Sequence, residues 1–401
     1  MPAAPAAQAP PLPPARLDSF DVERPVRSLD VATALRRIAA ERGASHLDLV
    51  RDYVGLAFGP GRLSFGEYVA MRLFEDLPSA EKRRFVGAGA WLKILADVNY
   101  RRDWWGLVAH KIASTAFLSA YGFPTIPVLA IYRAEAAPGQ ASRLSGEAEL
   151  RAFLADPRNY PLFGKPVEGF QSLGSASLEG YDPASRSLRC TTGQTVRLDA
   201  FLADVAAHYG SGYLFQKRVA PHPEVRALCG DRLATVRVLT LRSEGTPKLF
   251  RACWKIPAGR NAADNFWRPG NLLARIDLVD GRVVRALRGT GMDLEVLSRH
   301  PDSGTPLAGL SVPDWPAIAT LAVEGARLLK DVPLLGWDIA PTETGPVIVE
   351  VNETPDCLLP QLADRRGLLD AEFLSFMAEQ KRRAAAWKRE QAAQARAALR
   401  T

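Results

Sequence analysis

The chain has 401 residues, 47% of them hydrophobic and 24% charged, the make-up of an ordinary globular protein with room for two or three domains. No uninterrupted apolar run reaches the roughly 18 residues of a membrane-crossing helix, and Cys190, Cys229, Cys253 and Cys357 are too scattered for a CxxC pair or a zinc spacing. A net charge of +7 permits anionic partners, but no basic run is interleaved with aromatic residues as a single-strand nucleic-acid surface requires, so nucleic acid is set aside.

The opening MPAAPAAQAPPLPPAR lacks both the early positive charge and the leucine-rich core of a signal peptide. Residues 1–20 read as a disordered Pro/Ala-rich tail on a cytoplasmic protein with free thiols. Residues 21–105 form a helical N-terminal region: apolar residues recur at helical spacing in LDVATALRRIAAERG and FGEYVAMRLFEDL, with Ser79 offering an N-cap before AEKRRFVG. From Phe123 the texture changes to FPTIPVLAIY, a strand, followed by a helix around Gly146 to Leu154. Strand-like runs follow at YPLFGKPV, SASLEGY, SLRCTTG, GYLFQKRV, ATVRVLTL, KLFRACWKI, LLARIDL and GRVVRAL, several separated by short turns such as Val279-Asp280-Gly281-Arg282. Strands with few helices between them argue for antiparallel sheet and an α+β protein. A helix over Trp315 to Lys330 precedes a hairpin, and residues 371–401 form a C-terminal helix that packs only at its first turns.

The hairpin, GWDIAPTETGPVIVEVNETP, is the most informative segment. Its turn signal is Thr342-Glu343-Thr344-Gly345, where the glycine takes the positive φ that closes a three-residue loop. Centring the loop on Thr344 places Asp338 opposite Glu350. Facing carboxylates repel unless a cation lies between them. Alternation places Val347, Val349 and Val351 on one face and Ile348, Glu350 and Asn352 on the other. Asp338, Glu350 and Asn352 offer only oxygen ligands, the set suited to Mg²⁺. The alternative is a solvated acidic edge hairpin.

Four further segments carry chemistry. GKPVEGFQSLGS, from Gly164 to Ser175, joins a lysine to a loop of small residues whose N–H groups can approach phosphate, although its order is neither that of a Walker A loop nor a dinucleotide fingerprint; a plain turn is the alternative. GYLFQKRVAPHPEVRAL reads as a buried strand running into an irregular proline-bounded stretch, whose free backbone groups can bind a purine edge. His222, between two prolines, is an exposed loop residue able to touch a ribose. In ATVRVLTL, Arg237 shares a face with Thr235 and Leu239 and needs either a bound anion or an internal carboxylate; Lys255 is a weaker candidate of the same kind, and both are catalytic candidates. In GRNAADNFWRPGN, Asp264 and Asn265 contact substrate or cap a turn.

In this order, with HKIASTAFLSAYGFPTIP ahead of them, these segments resemble the ATP-grasp superfamily, and within it the sugar-transfer-associated branch, over residues 105–362. The resemblance implies two α+β subdomains gripping ATP, residues 106–210 with the glycine loop and 211–370 with the hairpin. It implies that Lys111 and Lys165 hold phosphates, that adenine meets the hinge Gln216, Lys217, Arg218 and Val219, and that Asp338, Glu350 and Asn352 carry Mg²⁺, or Mn²⁺ in its place. The chain departs from the family pattern at the hinge, where Gln216-Lys217 stands in place of a usual glutamate.

The activity implied is ligation: ATP phosphorylates a carboxylate, cationic side chains and metal hold the acyl phosphate, and an amine displaces phosphate, with small or sugar-linked substrates. Phosphoryl transfer to a hydroxyl would use the same nucleotide site. A non-catalytic nucleotide-binding partner of a glycosyltransferase is the reading from another class.

Overall fold

The computed structural model describes residues 17, 31–43, 45–168 and 173–399. The expected Pro/Ala tail, apart from Leu17, and the tip of the glycine loop at 169–172 lie outside them. The chain divides into two compact units, Met1–Arg24 with Pro127–Arg218 and Pro25–Ile126 with Val219–Thr401.

In the first unit, strands β1 (Val128–Tyr132), β2 (Ser142–Leu144), β3 (Leu162–Pro166), β4 (Ala176–Asp182), β5 (Ser187–Cys190), β6 (Thr195–Arg197) and β7 (Tyr213–Lys217) form one sheet in the order β2-β1-β7-β3-β4-β5-β6. Neighbours are antiparallel except β1 and β2. Helices Glu147–Ala155 and Leu198–His208 contribute Leu150, Leu154, Phe201, Leu202 and Val205 to a core with Leu162, Leu178, Tyr213 and Phe215. The second helix was not expected, although its apolar residues stand at i, i+3, i+4 and i+7. Because strand side chains alternate, the opposite face of β3 and β7 carries Phe163, Lys165, Leu214 and Gln216. Gly164 is required there: a Cβ would stand 2.6 Å from the Tyr213 ring.

The second unit holds β8 (Val236–Leu241), β9 (Lys248–Ile256), β10 (Leu272–Ile276), β11 (Val283–Arg288), β12 (Glu295–Leu297), β13 (Leu334–Ala340) and β14 (Val347–Asn352), in the order β12-β11-β10-β9-β8-β13-β14. All its neighbours are antiparallel. The α+β expectation is therefore borne out. Helix Trp315–Leu328 covers one face, packing Ile318, Ala322 and Ala326 against Val236, Val238, Trp254, Trp337 and Ile339. The other face is closed over much of its area by helices at both ends of the chain. Helices His46–Ala57, Phe65–Ala70 and Leu358–Asp364 cover Cys253, Leu273 and Leu287, while Ala88–Val98 and Ala371–Ala398 cover Leu239, Leu241 and Phe250.

Three local expectations need correction. Ser79 is the first residue of the one-turn helix Ser79–Lys82, whose N-cap is Pro78, so it caps nothing. The C-terminal helix packs further than its first turns, through buried Gln380 and through Trp387 against the Tyr100 ring at 5.8 Å. His222 is half-buried rather than exposed: with Pro223 at the first helical position it caps Pro223–Cys229, its Nδ1 accepting the Glu224 N–H at 3.3 Å. All four cysteines are buried free thiols. Among the described residues no helix is long and apolar enough to cross a membrane.

Candidate active site

Where the end helices leave the second sheet uncovered, its face is polar. Register places Arg237 of β8 beside Asp338 of β13, and β9 brings Lys255 alongside through the bond from its N–H to the Thr235 carbonyl. Arg237 grips Asp338 with two parallel bonds, Nε to Oδ1 at 2.6 Å and Nη2 to Oδ2 at 2.8 Å, and Lys255 Nζ lies 3.1 Å from Oδ2. All three side chains are buried. Lys255 is also 3.9 Å from Oδ1 of Asp264, whose other oxygen accepts from the Thr235 N–H at 2.7 Å and its hydroxyl at 2.5 Å.

Burial works against the charge of Asp338, yet Arg237 and Lys255 outweigh it and hold the carboxyl well below the usual carboxylate range. Burial likewise opposes the charges of Arg237 and Lys255, and the facing carboxylates outweigh it, raising both. For Asp264 burial prevails and pushes its carboxyl up. Buried ion pairs contribute little net stability over apolar packing.

The hairpin supplies the rest. Asp338 does pair with Glu350, in the register read from the sequence, and Gly336 pairs with Asn352. Beyond that the register slips: Ile339 pairs with Ile348, leaving Val349 as a bulge. The extra residue reverses the alternation, so Ile348 joins Val351 in the core and leaves the face of Glu350 and Asn352. The connection is also longer than expected, spanning residues 341–346 around the turn that Gly345 closes with a φ of +99°.

Glu350 makes no side-chain hydrogen bond or ion pair among the described residues, and the Asn352 amide nitrogen is buried without a partner. Asp338 accepts three of the about four bonds a carboxylate can take, leaving one lone pair. This oxygen set fits a hard divalent cation, with two open side chains and one place on an anchored carboxylate. No cluster of three or more His, Cys, Asp or Glu side chains is close enough to hold a metal among the described residues. The asparagine amide and water would complete such a shell.

Of the other expected residues, Lys111 opens helix Lys111–Ala120 in the second unit, with Val219 and His222 in the same unit. Lys165, Gln216, Lys217 and Arg218 belong to the first unit. Gln216 is buried, Lys217 is exposed, and Arg218 lies 3.3 Å from Glu179. Asn265 caps within its loop, its Oδ1 accepting the Trp267 N–H at 3.2 Å. Sequence reasoning gave no role to Trp267, whose indole N–H donates to Asp356 at 2.8 Å just past the hairpin.

Residues 201–374, which include the second sheet and its hairpin, match the family described as sugar-transfer associated ATP-grasp. The resemblance read from the sequence is thereby confirmed over less than half of the chain. No curated protein matches. Among solved structures, the D-alanine-D-alanine ligase from Coxiella burnetii is 13% identical, covering 74% of this chain and 62% of that one with a TM-score of 0.40. The biotin carboxylase from Campylobacter jejuni, in a complex with beta-gamma-ATP, is 10% identical over 69% of this chain and 46% of its own, also at 0.40. An N5-carboxyaminoimidazole ribonucleotide synthetase bound to ADP is 13% identical over 63% of this chain and 46% of its own, at 0.35. The chain spans less than half the length of the latter two. At these scores the assignment rests on the family match.

Proposed function

We propose that the protein is an ATP- and Mg²⁺-dependent ligase that joins a carboxylate to an amine through an acyl phosphate, acting on small or sugar-linked substrates. The observation that supports this reading most is the open pair Glu350 and Asn352 beside the buried Arg237–Asp338–Lys255 cluster, on a segment of the matched family. Magnesium held by Glu350, Asn352 and the remaining lone pair of Asp338 would neutralise phosphate oxygens. Lys111 and Lys165 take phosphates and Gln216 to Val219 take the adenine, the roles the resemblance implies.

In the first step a substrate carboxylate oxygen attacks the γ-phosphorus and ADP leaves. Arg237 keeps Nη1 without a hydrogen bond among the described residues, so its fork can face the acyl phosphate while Asp338 fixes its orientation. Lys255, fixed between two carboxylates, adds a second cation. The amine then attacks the acyl carbon, phosphate departs and the amine loses a proton. No nucleophilic side chain is needed. Calorimetric titration with ATP is expected to show binding at millimolar Mg²⁺ and none with chelator present. Incubation with candidate amino acids and amino sugars plus hydroxylamine is expected to yield a hydroxamate, which a hydroxyl-directed kinase would not form. Absence of Mg²⁺-dependent nucleotide binding would rule the reading out.

A further inference from the structure

The strand carrying Glu350 and Asn352 ends abruptly. Its last ladder pair is Gly336 with Asn352, and in the same register Thr354 would stand opposite Leu334. That place is taken by a side chain from the N-terminal helical region. Asn99, wholly buried, donates from its amide nitrogen to the Leu334 carbonyl at 2.9 Å and to the Glu353 carbonyl at 3.0 Å, while its oxygen accepts the Leu334 N–H at 2.9 Å. Leu334 thus offers Asn99 the N–H and C=O that a continuing β14 would have used. One amide splices the two strands at the point where they part.

Asn99 is itself held fast. Its N–H closes the C-terminus of helix Ala88–Val98 on the Leu95 carbonyl, and its own carbonyl accepts the Trp105 indole N–H at 2.8 Å. About two helical turns away, Trp91 donates its indole N–H to the Pro355 carbonyl at 2.7 Å. Two side chains from residues 88–99, outside the family match, therefore grip Glu353 and Pro355, immediately after Asn352. Polar groups buried with every bond satisfied fix a single geometry, because any displacement leaves a donor or acceptor unpaired.

Resting on the ligase reading above, we infer that Asn99, seconded by Trp91, is a positioning residue. It sets the end of β14 so that Glu350 and Asn352 meet one cation together, which gives the N-terminal helical region a part in metal binding.

The test is a calorimetric titration of the full-length protein with MgCl₂ in the presence of a non-hydrolysable ATP analogue, alongside hydrogen exchange without ligand. Asn99→Ala is expected to weaken Mg²⁺ binding about tenfold, the range found when groups supporting metal ligands are removed, and to speed exchange of the Leu334 amide, whose N–H Asn99 accepts. Trp91→Phe, which keeps the ring and loses only its indole N–H donor, is expected to weaken it about threefold on the same principle, and serves if the alanine variant fails to fold. Lys82→Ala breaks the 2.6 Å pair with Asp52 elsewhere in the same helical region and is expected to lower the Tm while leaving Mg²⁺ affinity alone. Unchanged Mg²⁺ affinity in the Asn99 or Trp91 variant, with wild type binding normally, overturns the inference. If wild type binds no nucleotide, the ligase reading fails instead. Exchange at Leu334 then decides the splice by itself, faster exchange supporting it and unchanged exchange overturning it.

Discussion

Strand β9 carries two buried ionic clusters on one face, four residues apart, and they differ in what they leave open. Around Arg251, Asp370 accepts from Arg251 at 2.6 Å, from Arg366 at 2.9 Å and from the Phe373 N–H at 3.0 Å, while Asp364 stands 3.2 Å from Arg251 and 3.3 Å from Arg275. Both acids come from the C-terminal segment, and Asp370 is also the N-cap of helix Ala371–Ala398. That cluster fastens the end helices to the sheet. Around Lys255, the acids come from the sheet and one loop, and Glu350 stands next to them with no side-chain hydrogen bond or ion pair among the described residues. Ion pairs alone therefore do not mark a site. What sets the Lys255 cluster apart is the neighbouring Glu350, a carboxylate with no side-chain hydrogen bond or ion pair among the described residues.

Removing one acid from each cluster is the most forceful way to break the comparison. Asp338→Asn and Asp370→Asn each strand buried cations, so each is expected to lose about 3–5 kcal/mol in denaturant unfolding. They should part in function: at a temperature where both variants are folded, Asp370→Asn is expected to keep wild-type nucleotide affinity, and Asp338→Asn to lose it. Equal nucleotide affinity in the two would erase the distinction.

Glu350→Gln isolates the open side. The carboxylate has no partner to strand, so the Tm is expected to stay within about 2 °C, a shift equivalent to less than 1 kcal/mol. Turnover of ATP in the presence of the substrates should fall by about a hundredfold or more, the loss expected when one group stabilising the transition state is removed. A stability loss as large as that of Asp370→Asn would show that Glu350 is structural after all.

The clusters also differ in how far the sequence revealed them. The pairing of Asp338 with Glu350 was legible because a short turn joins their strands and fixes the register locally. The bulge at Val349 was not, since a period of two carries no mark of an added residue. Arg237 was recognisable as an inward-pointing cation in need of an anion, but its partner lies 101 residues away on a strand whose adjacency is decided by tertiary packing. Helix Leu198–His208 and the cap at His222 had signals that were available and missed: an i, i+3, i+4, i+7 pattern, and a His-Pro-Glu start. Nothing in LADVNY singles out Asn99. Its role arises from where two strands separate, which local sequence does not encode.

The smallest expected effect concerns pH, and it divides the Arg251 cluster internally. Burial works against the charge of Asp370, but the Phe373 N–H and Arg251 outweigh it and hold the carboxyl below its usual range. A depressed acid stabilises the fold above its unfolded pKa of about 4 and loses that contribution as the pH falls through the folded value. The deficit of Asp370→Asn relative to wild type should therefore be full at pH 7 and shrink below about pH 4. Asp364 runs the other way: burial outweighs its neighbouring arginines and raises it. A raised acid favours folding most when protonated, and wild-type stability declines as the pH climbs from about 4 through the folded value. The deficit of Asp364→Asn should be greatest at about pH 4 and smaller at pH 7. Tm measured against pH for the two variants is expected to give trends of opposite slope. Parallel trends would mean that the cluster titrates as one unit.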